Sequence, residues 1–246
     1  MTRRLYLITV CATTVATAIL GTNADAATPW DYRPVAIDGG FTDARTAHQI
    51  EEPDKGHIGY HHAREEAPAL WFRFDGAYGD RITVRLGVPA LDRYRQLRPA
   101  VAVLGQDLPP ITEMVPFEIP EGYGGMVYHA ADLNVAQHEE NYTGTISWRF
   151  ENIEHVLRAS GRIYLVGFIP IPQEPDANNA NTTLDGKFWM GLGHRTNFQL
   201  SDLLHTYRRT ARIRTFFEDA VTQSNLYRNG IMGLLIALIS IMIAVV

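Results

Sequence analysis

Hydrophobic and polar residues alternate along two neighbouring segments in the first half of the chain. In ALWFRFD, residues 69–75, the side chains of Leu70, Phe72 and Phe74 fall on one side, and the run DRITVRLGV, residues 80–88, repeats the alternation after the connection GAYG. Period-two alternation on both sides of a short glycine-containing connection predicts two antiparallel strands. Similar runs occur at residues 99–105, 125–130, 145–153, 161–169 and 186–193.

These runs predict the fold class. Seven or eight short strands, separated by clusters of Gly, Pro, Asn and Asp, are typical of an all-β domain, a β-sandwich or jelly-roll-like body. We assign this ectodomain to residues 27–199. Helical periodicity appears only after the predicted strands end.

The stretch KGHIGYHHAREE, residues 55–66, contains three histidines within six positions. Gly59 and the flanking prolines disfavour a helix, and Ile58 and Tyr60 alternate with their neighbours as in a half-buried strand. In a strand, His57 and His61 lie about 13 Å apart and His61 and His62 point to opposite faces. Therefore no single metal ion can bind all three.

Elsewhere in the sequence, few residues are arranged in patterns typical of catalytic or metal-binding sites. The run HEEN, residues 138–141, has ligand-type side chains, with His129 and Asp132 upstream, but the spacing is loose. No HExxH, GxSxG or phosphate-binding glycine loop is present,. The run GYGG, residues 122–125, precedes a predicted strand and is expected to form a turn. We predict no catalytic residues, no metal and no cofactor; a metal-dependent enzyme is the third alternative.

The first 26 residues resemble a cleavable export signal. Arg3 and Arg4 precede an apolar run that ends in Ala24-Asp25-Ala26, the order of charged, hydrophobic and small residues that such signals show,. The single cysteine, Cys11, lies within this segment, so the mature chain forms no disulfide,. The whole chain has a net charge of −5, which disfavours a nucleic-acid partner,.

The other end is NGIMGLLIALISIMIAVV, residues 229–246. The 17 uncharged residues from Gly230 would form a helix of roughly 25 Å, which predicts a transmembrane helix over residues 230–246, slightly short for the bilayer core,. The predicted location is the cell membrane, single-pass, with the ectodomain outside the cytoplasm. The alternatives are a buried core helix and a signal that is exchanged for a glycolipid anchor.

Small residues recur along this tail at spacings of three and four. Such a stripe faces one side of a helix and allows close packing against a partner helix or a second copy of the chain. The general abundance of small residues in membrane helices is the other explanation. The predicted packing face consists of Gly230, Gly233, Ala237, Ser240 and Ala244.

Residues 200–221 are predicted to form an amphipathic juxtamembrane helix, followed by a short linker over residues 222–229. Ser201 can cap it. One alternative places the helix on lipid headgroups, and the other packs it on the sandwich or on a partner with its arginines solvated. The predicted apolar stripe is Leu204, Tyr207, Ala211, Phe217 and Val221, and the arginines are Arg208, Arg209, Arg212 and Arg214.

Two long connections, residues 105–125 and 169–186, are longer than compact domains usually contain without a reason,. For a ligand or partner, the first candidates are aromatic and apolar side chains in or beside the first connection: Met114, Phe117, Tyr123 and Tyr128. The alternative is that these side chains cap the core. Asn141 and Asn181 begin glycosylation sequons,.

The order ALWFRFDGAYGDRITVRLGV, then GRIYLVGFI, then GKFWMGLG is similar to bacterial pre-peptidase C-terminal-like β-sandwich domains. In that family an aromatic strand, a glycine turn and an amphipathic strand precede a late apolar strand and a final aromatic strand. The likeness spans roughly residues 57–217 and implies an accessory or binding module without a catalytic set. The long 105–125 insertion departs from the simple domain.

We therefore expect an exported, membrane-anchored, non-catalytic protein. The first hypothesis is an accessory subunit or scaffold of a membrane or envelope complex, with the lipid bilayer and a transmembrane helix as its partners. The alternative is a surface-displayed binding module for carbohydrate, peptide or envelope polymer.

Overall fold

The computed structural model describes residues 32–106, 108–140, 143–158, 160–171, 185–196 and 203–222. Residues 1–26 and the tail 230–246 lie outside these ranges, as do both sequon asparagines. No helix within the described ranges is long and apolar enough to cross a membrane. The elements are β1 (Arg33–Ile37), β2 (His48–Gln49), β3 (His57–Ala63), β4 (Ala69–Gly76), β5 (Arg81–Pro89), β6 (Ala100–Gln106), β7 (Tyr123–His129), β8 (Val135–Glu140), β9 (Thr145–Phe150), β10 (Ile153–Val156), β11 (Gly161–Phe168), β12 (Gly186–Leu192) and α1 (Leu203–Phe217).

The strands form two mixed sheets. The helix-side sheet has the order β1-β3-β12-β5-β9-β8, with β10 also paired to β5, and the loop-side sheet has the order β2-β4-β11-β6-β7. The pairs β1–β3 and β2–β4 are parallel and the remaining pairs are antiparallel. This architecture confirms the all-β prediction. The strands around the seven predicted runs are present, and the histidine stretch is a strand, β3.

Three strands had no signal in the hydrophobic pattern: β1, β2 and β8. All but the last residue of β8 is exposed, so its sequence, VAQHEE, carries no apolar face. The predicted strand over residues 145–153 is in fact β9 and the start of β10, because the register of the chain on β5 shifts by one residue at Glu151 and Asn152. Tertiary pairing, rather than local pattern, forms these elements.

The main core lies between the two sheets. Leu70, Phe72 and Phe74 point into it from β4, and Ile82, Val84 and Leu86 point into it from β5, as their alternation predicts. Each side chain of this size stabilises the fold by about 1.5–3 kcal/mol when fully buried.

The outer face of the loop-side sheet is also apolar, and the first long connection covers it. Trp71 meets the ring of Phe117 edge-on with 5.3 Å between ring centroids, and Phe117 in turn meets Phe168 at 5.2 Å. Tyr123 packs on Tyr164 at 5.3 Å. Both faces of this sheet are therefore buried, which explains why β4 and β6 are almost continuously hydrophobic.

Helix α1 covers part of the outer face of the helix-side sheet. Its buried side chains pack on Tyr60 and Trp189. The predicted stripe is wrong at Ala211, which is exposed; the side chains of residues 203–207 are outside the described part. Two faces of the helix, offset by about one residue, carry apolar side chains. The helix buries the face with the larger side chains against the aromatic residues of the sheet. The buried positions are Thr210, Ile213, Phe216, Phe217 and Ala220.

Polar contacts fix the end of α1 to the sandwich. Lys187 Nζ donates to the Phe216 carbonyl at 3.1 Å and to Glu218 Oε1 at 2.5 Å, and Arg93 Nη2 donates to Glu218 Oε2 at 2.5 Å. A cation at the last carbonyls of a helix also interacts favourably with the helix dipole. The chain then continues along β9, where Val221 bridges Thr145.

Candidate functional site

The histidine stretch is built into the fold as separate structural contacts. His61 is buried, its Nε2 lies 3.0 Å from the Ala67 carbonyl, and its ring packs edge-on to Phe188. Burial lowers the pKa of His61 to about 4, so the ring is neutral at ordinary pH,. His62 points to the opposite face, where it pairs with Asp185 and lies 2.6 Å from Arg64.

In the described part of the chain, these histidines and the downstream ones belong to no metal-binding group. Within the described residues, no three His, Cys, Asp or Glu side chains lie close enough together to hold a metal ion. His129 Nε2 lies 2.8 Å from Glu113 Oε2, and this pair fastens the long connection to the end of β7. His138, of the HEEN run, is exposed on β8.

The structure does not bring the four candidate ligand-binding side chains into one site. Phe117 and Tyr123 pack on the loop-side sheet, as described above. Tyr128 lies against the main core, and its hydroxyl is 2.6 Å from His155 Nδ1. Met114 projects outward, with 68% of its surface exposed. For Phe117, Tyr123 and Tyr128 this placement matches the alternative in which these side chains cap the core.

The arginines of α1 contact the sandwich as well as solvent. Arg212 Nη2 donates to the Ile37 carbonyl at 2.9 Å and Arg214 Nη1 donates to the Thr143 carbonyl at 2.6 Å. Arg208 is exposed and Arg209 is half-buried. This arrangement agrees with a helix packed on the sandwich. A membrane-surface role for these arginines stays a prediction, as does the packing face of the tail, which lies outside the described residues.

A polar area that the sequence did not reveal lies beside α1, on the outer face of the helix-side sheet. Its centre is the arginine pair, Arg85 on β5 and Arg149 on β9. Arg149 is opposite Gly87 in the sheet register, and Arg85 is two residues from Gly87 along the same strand. Diagonal neighbours of this kind are typically about 7–8 Å apart, within reach of two long side chains.

Arg149 lines a groove of about 410 Å³ along β8 and β9, and Arg85 lies next to Arg149 on the neighbouring strand β5. Arg149 and His138 line its wall, and amide side chains lie at one end: Asn134 and Asn152. In the sequence, Arg85 and Arg149 are 64 positions apart, and each reads as an ordinary polar residue of an amphipathic strand. Only the β5–β9 pairing brings them together.

Comparisons with known proteins give no family assignment. No family model matches the chain, and no curated protein matches it. The resemblance to pre-peptidase C-terminal-like sandwiches therefore stays a prediction.

Two solved structures show a distant likeness. One is PliG, a periplasmic inhibitor of g-type lysozyme from Aeromonas hydrophila, at 10% identity and a TM-score of 0.31, covering 66% of this chain and 97% of that chain. The other is CorA, a surface-associated copper-binding protein of Methylomicrobium album BG8, at 8% identity and a TM-score of 0.29, covering 66% and 99%. Neither likeness, at this similarity, extends to function.

Proposed function

We propose that the chain is an exported, non-catalytic β-sandwich protein, anchored in the membrane by residues 230–246, that serves as an accessory subunit or scaffold of a membrane or envelope complex. The observation that carries this proposal is that α1 and the segment after it, up to residue 222, pack on the sandwich. Ile213, Phe216 and Phe217 are buried on the helix-side sheet, and Val221 pairs with β9.

In this proposal the anchor lies close to the folded domain. Residues 223–229 connect the last described residue, Thr222, to the apolar tail. Seven residues span at most about 25 Å when fully extended. The sandwich is therefore held near the bilayer surface, where it can contact a neighbouring membrane protein whose helix packs against the small-residue face of the tail.

The coverage of both sandwich faces supports a role in assembly over one in catalysis. The connection around Phe117 covers one sheet, α1 covers part of the other, and His61, His62 and His129 make contacts within the fold. The binding-module alternative also stays open, and its remaining exposed candidate is Met114.

The test is gentle detergent extraction of the tagged full-length protein from its own membranes, with mass spectrometry of what co-purifies. A Gly233→Leu/Ala237→Leu variant blocks close helix approach, whereas Leu234→Ile/Leu238→Ile alters the tail without enlarging the small-residue face. We expect a companion protein that is lost only in the first variant. If nothing co-purifies with the unaltered protein, the subunit proposal fails.

A second experiment, in intact cells, tests on which side of the membrane the ectodomain lies. The mature chain has no cysteine, so a Tyr78→Cys variant carries a single thiol on an exposed turn, where Tyr78 is 74% exposed. We expect a membrane-impermeant maleimide to label it in intact cells or, for a periplasmic domain, after outer-membrane permeabilisation. Labelling only after the cytoplasmic membrane is broken would contradict export.

A further inference from the structure

The arginine pair is not neutralised by a carboxylate contact among the described residues. Within the part of the chain that the structure describes, neither Arg85 nor Arg149 forms an ion pair. The neighbouring carboxylates are engaged elsewhere. Glu154 Oε2 accepts a hydrogen bond from Thr83 Oγ1 at 3.0 Å, and Glu151 Oε2 accepts one from Asn134 Nδ2 at 3.0 Å.

Both guanidinium groups are partly removed from water without full compensation. Arg85 Nε is buried and has no hydrogen-bond partner among the described residues. Arg149 makes one side-chain hydrogen bond, from Nη2 to Asn152 Oδ1 at 3.2 Å. Burial, followed by repulsion from Arg85, lowers the pKa of Arg149 below its ordinary value. Two partly buried like charges that lie close together cost stability unless an anion neutralises them.

Aromatic packing holds Arg85 in place. Its guanidinium carbon lies 4.8 Å from the centre of the Tyr32 ring. That ring lies over Gly191, where an added Cβ would be only 3.3 Å from Tyr32 Cε1, and the Tyr32 hydroxyl donates to the Gly193 carbonyl at 2.8 Å. Stacking on a ring leaves the edge of a guanidinium free to donate hydrogen bonds in its plane.

We propose that Arg85 and Arg149 form a binding site for an oxyanion group, a carboxylate or a phosphate, carried by a ligand that lies in the groove along β8 and β9. A planar guanidinium fork donates two parallel hydrogen bonds to such groups. Asn134, Asn152 and His138 offer polar contacts along the groove for the rest of the ligand, and Glu151 also lines it.

The charge distribution limits the number of acidic groups on the ligand. The chain is acidic overall, with a net charge of −5, and the carboxylate of Glu151 lines the same groove, so a long polyanion such as nucleic acid is disfavoured,. A single acidic group on an otherwise neutral ligand fits two arginines. The site does not depend on how the chain is anchored, so it can be tested separately from the proposed function.

The test uses the purified full-length protein in neutral detergent at neutral pH and constant ionic strength. Thermal unfolding and calorimetric titration are measured with sodium phosphate and with sodium succinate, against sodium chloride. We expect phosphate or succinate to raise the unfolding temperature beyond the chloride control. Arg85→Gln and Arg149→Gln should each weaken the binding roughly tenfold or more, because each removes charge-assisted hydrogen bonds.

Matched variants separate binding from general charge and folding effects. Arg95→Gln removes the same charge from an exposed position away from the groove, and we expect it to bind as the unaltered protein does. Arg149→Lys keeps the charge without the planar fork and should retain part of the binding. Both Gln variants should remain folded without anion, since they relieve repulsion between like charges.

The source of the oxyanion is decided in the same experiment. Protection by soluble phosphate or succinate that both Gln variants lose assigns the site to a soluble ligand. Protection that requires phosphatidylglycerol in the micelles, and is lost in the same variants, assigns it to a lipid headgroup. Absence of any protection beyond chloride, or protection that persists in both Gln variants, overturns the proposal.

Discussion

At Gly124 the chain has no room for a side chain, because the backbone of the first long connection crosses directly over it. An added Cβ would lie 2.0 Å from the Leu108 carbonyl oxygen and 2.3 Å from that of Pro109. The adjacent Gly125 N–H donates to the Pro109 carbonyl at 2.9 Å. Gly124 and Gly125 therefore allow the connection to cross β7, while the first glycine of the GYGG run, Gly122, with φ +77°, belongs to the turn before the strand.

We expect Gly124→Ala to displace the connection and to lower the free energy of unfolding by about 1–3 kcal/mol, the usual cost of overpacking. The displaced segment should become sensitive to limited proteolysis between residues 108 and 122. Met114→Ala, in the same connection but at an exposed side chain, should change stability by less than about 0.5 kcal/mol. Equal protease resistance in the Gly124→Ala and unaltered proteins would contradict this account.

Among the elements, α1 has the least predictable role from sequence, because an amphipathic helix before an apolar tail suits a membrane surface as well as a protein surface. In the structure its aromatic side chains pack on the helix-side sheet. Phe216 is 4% exposed and meets Tyr60 edge-on with 5.6 Å between ring centroids. The helix is thus a layer of the folded domain.

Phe216→Ala should lower the free energy of unfolding by about 3–5 kcal/mol, since it leaves a cavity between α1 and the sheet. Amide hydrogen exchange should increase over residues 208–217 and in β12. Ala211→Ser, at an exposed position of the same helix, is the matched control and should leave exchange unchanged. Unchanged exchange in β12 of the Phe216→Ala variant would indicate that α1 stabilises itself without the sheet.

Across the whole molecule, histidines inside the sandwich make stability depend on pH. Burial lowers the pKa of four of them below the ordinary value of 6.5, and that of His61 to about 4. The unfolded chain therefore binds protons near pH 6.5 that the folded chain accepts only at lower pH. Stability is full above this range and is lost as pH falls through it. The four are His48, His57, His61 and His155.

We expect the free energy of unfolding to fall between pH 6.5 and pH 4, with His61 alone contributing on the order of 3 kcal/mol at the lower limit,. His61→Gln keeps a donor for the Ala67 carbonyl and removes the titration, so its denaturant-unfolding curve should depend less on pH over this range. Carboxylates whose pKa is lowered, such as Glu218, lose their stabilising effect only below about pH 4.5, so their contribution can be separated from that of the histidines. Identical pH dependence in both proteins would refute the assignment to His61.

The sequence by itself determined the fold class and much of the main core. Alternation at Leu70, Phe72 and Phe74, and at Ile82, Val84 and Leu86, placed the same side chains in the core that the structure buries, because a strand exposes each face at period two,. The same rule excluded one metal ion bound by His57, His61 and His62. Local geometry was sufficient for these conclusions.

Only the tertiary structure decided what covers the two outer faces and which distant residues meet. Phe117 and Tyr123 lie in or beside a connection whose pattern suits a ligand-binding loop or a cap, and the structure packs them on Trp71 and Tyr164. The arginine pair is the clearest case. Arg85 and Arg149 belong to different strands, and their proximity follows from sheet register, which depends on long-range pairing and has no local sequence signal,.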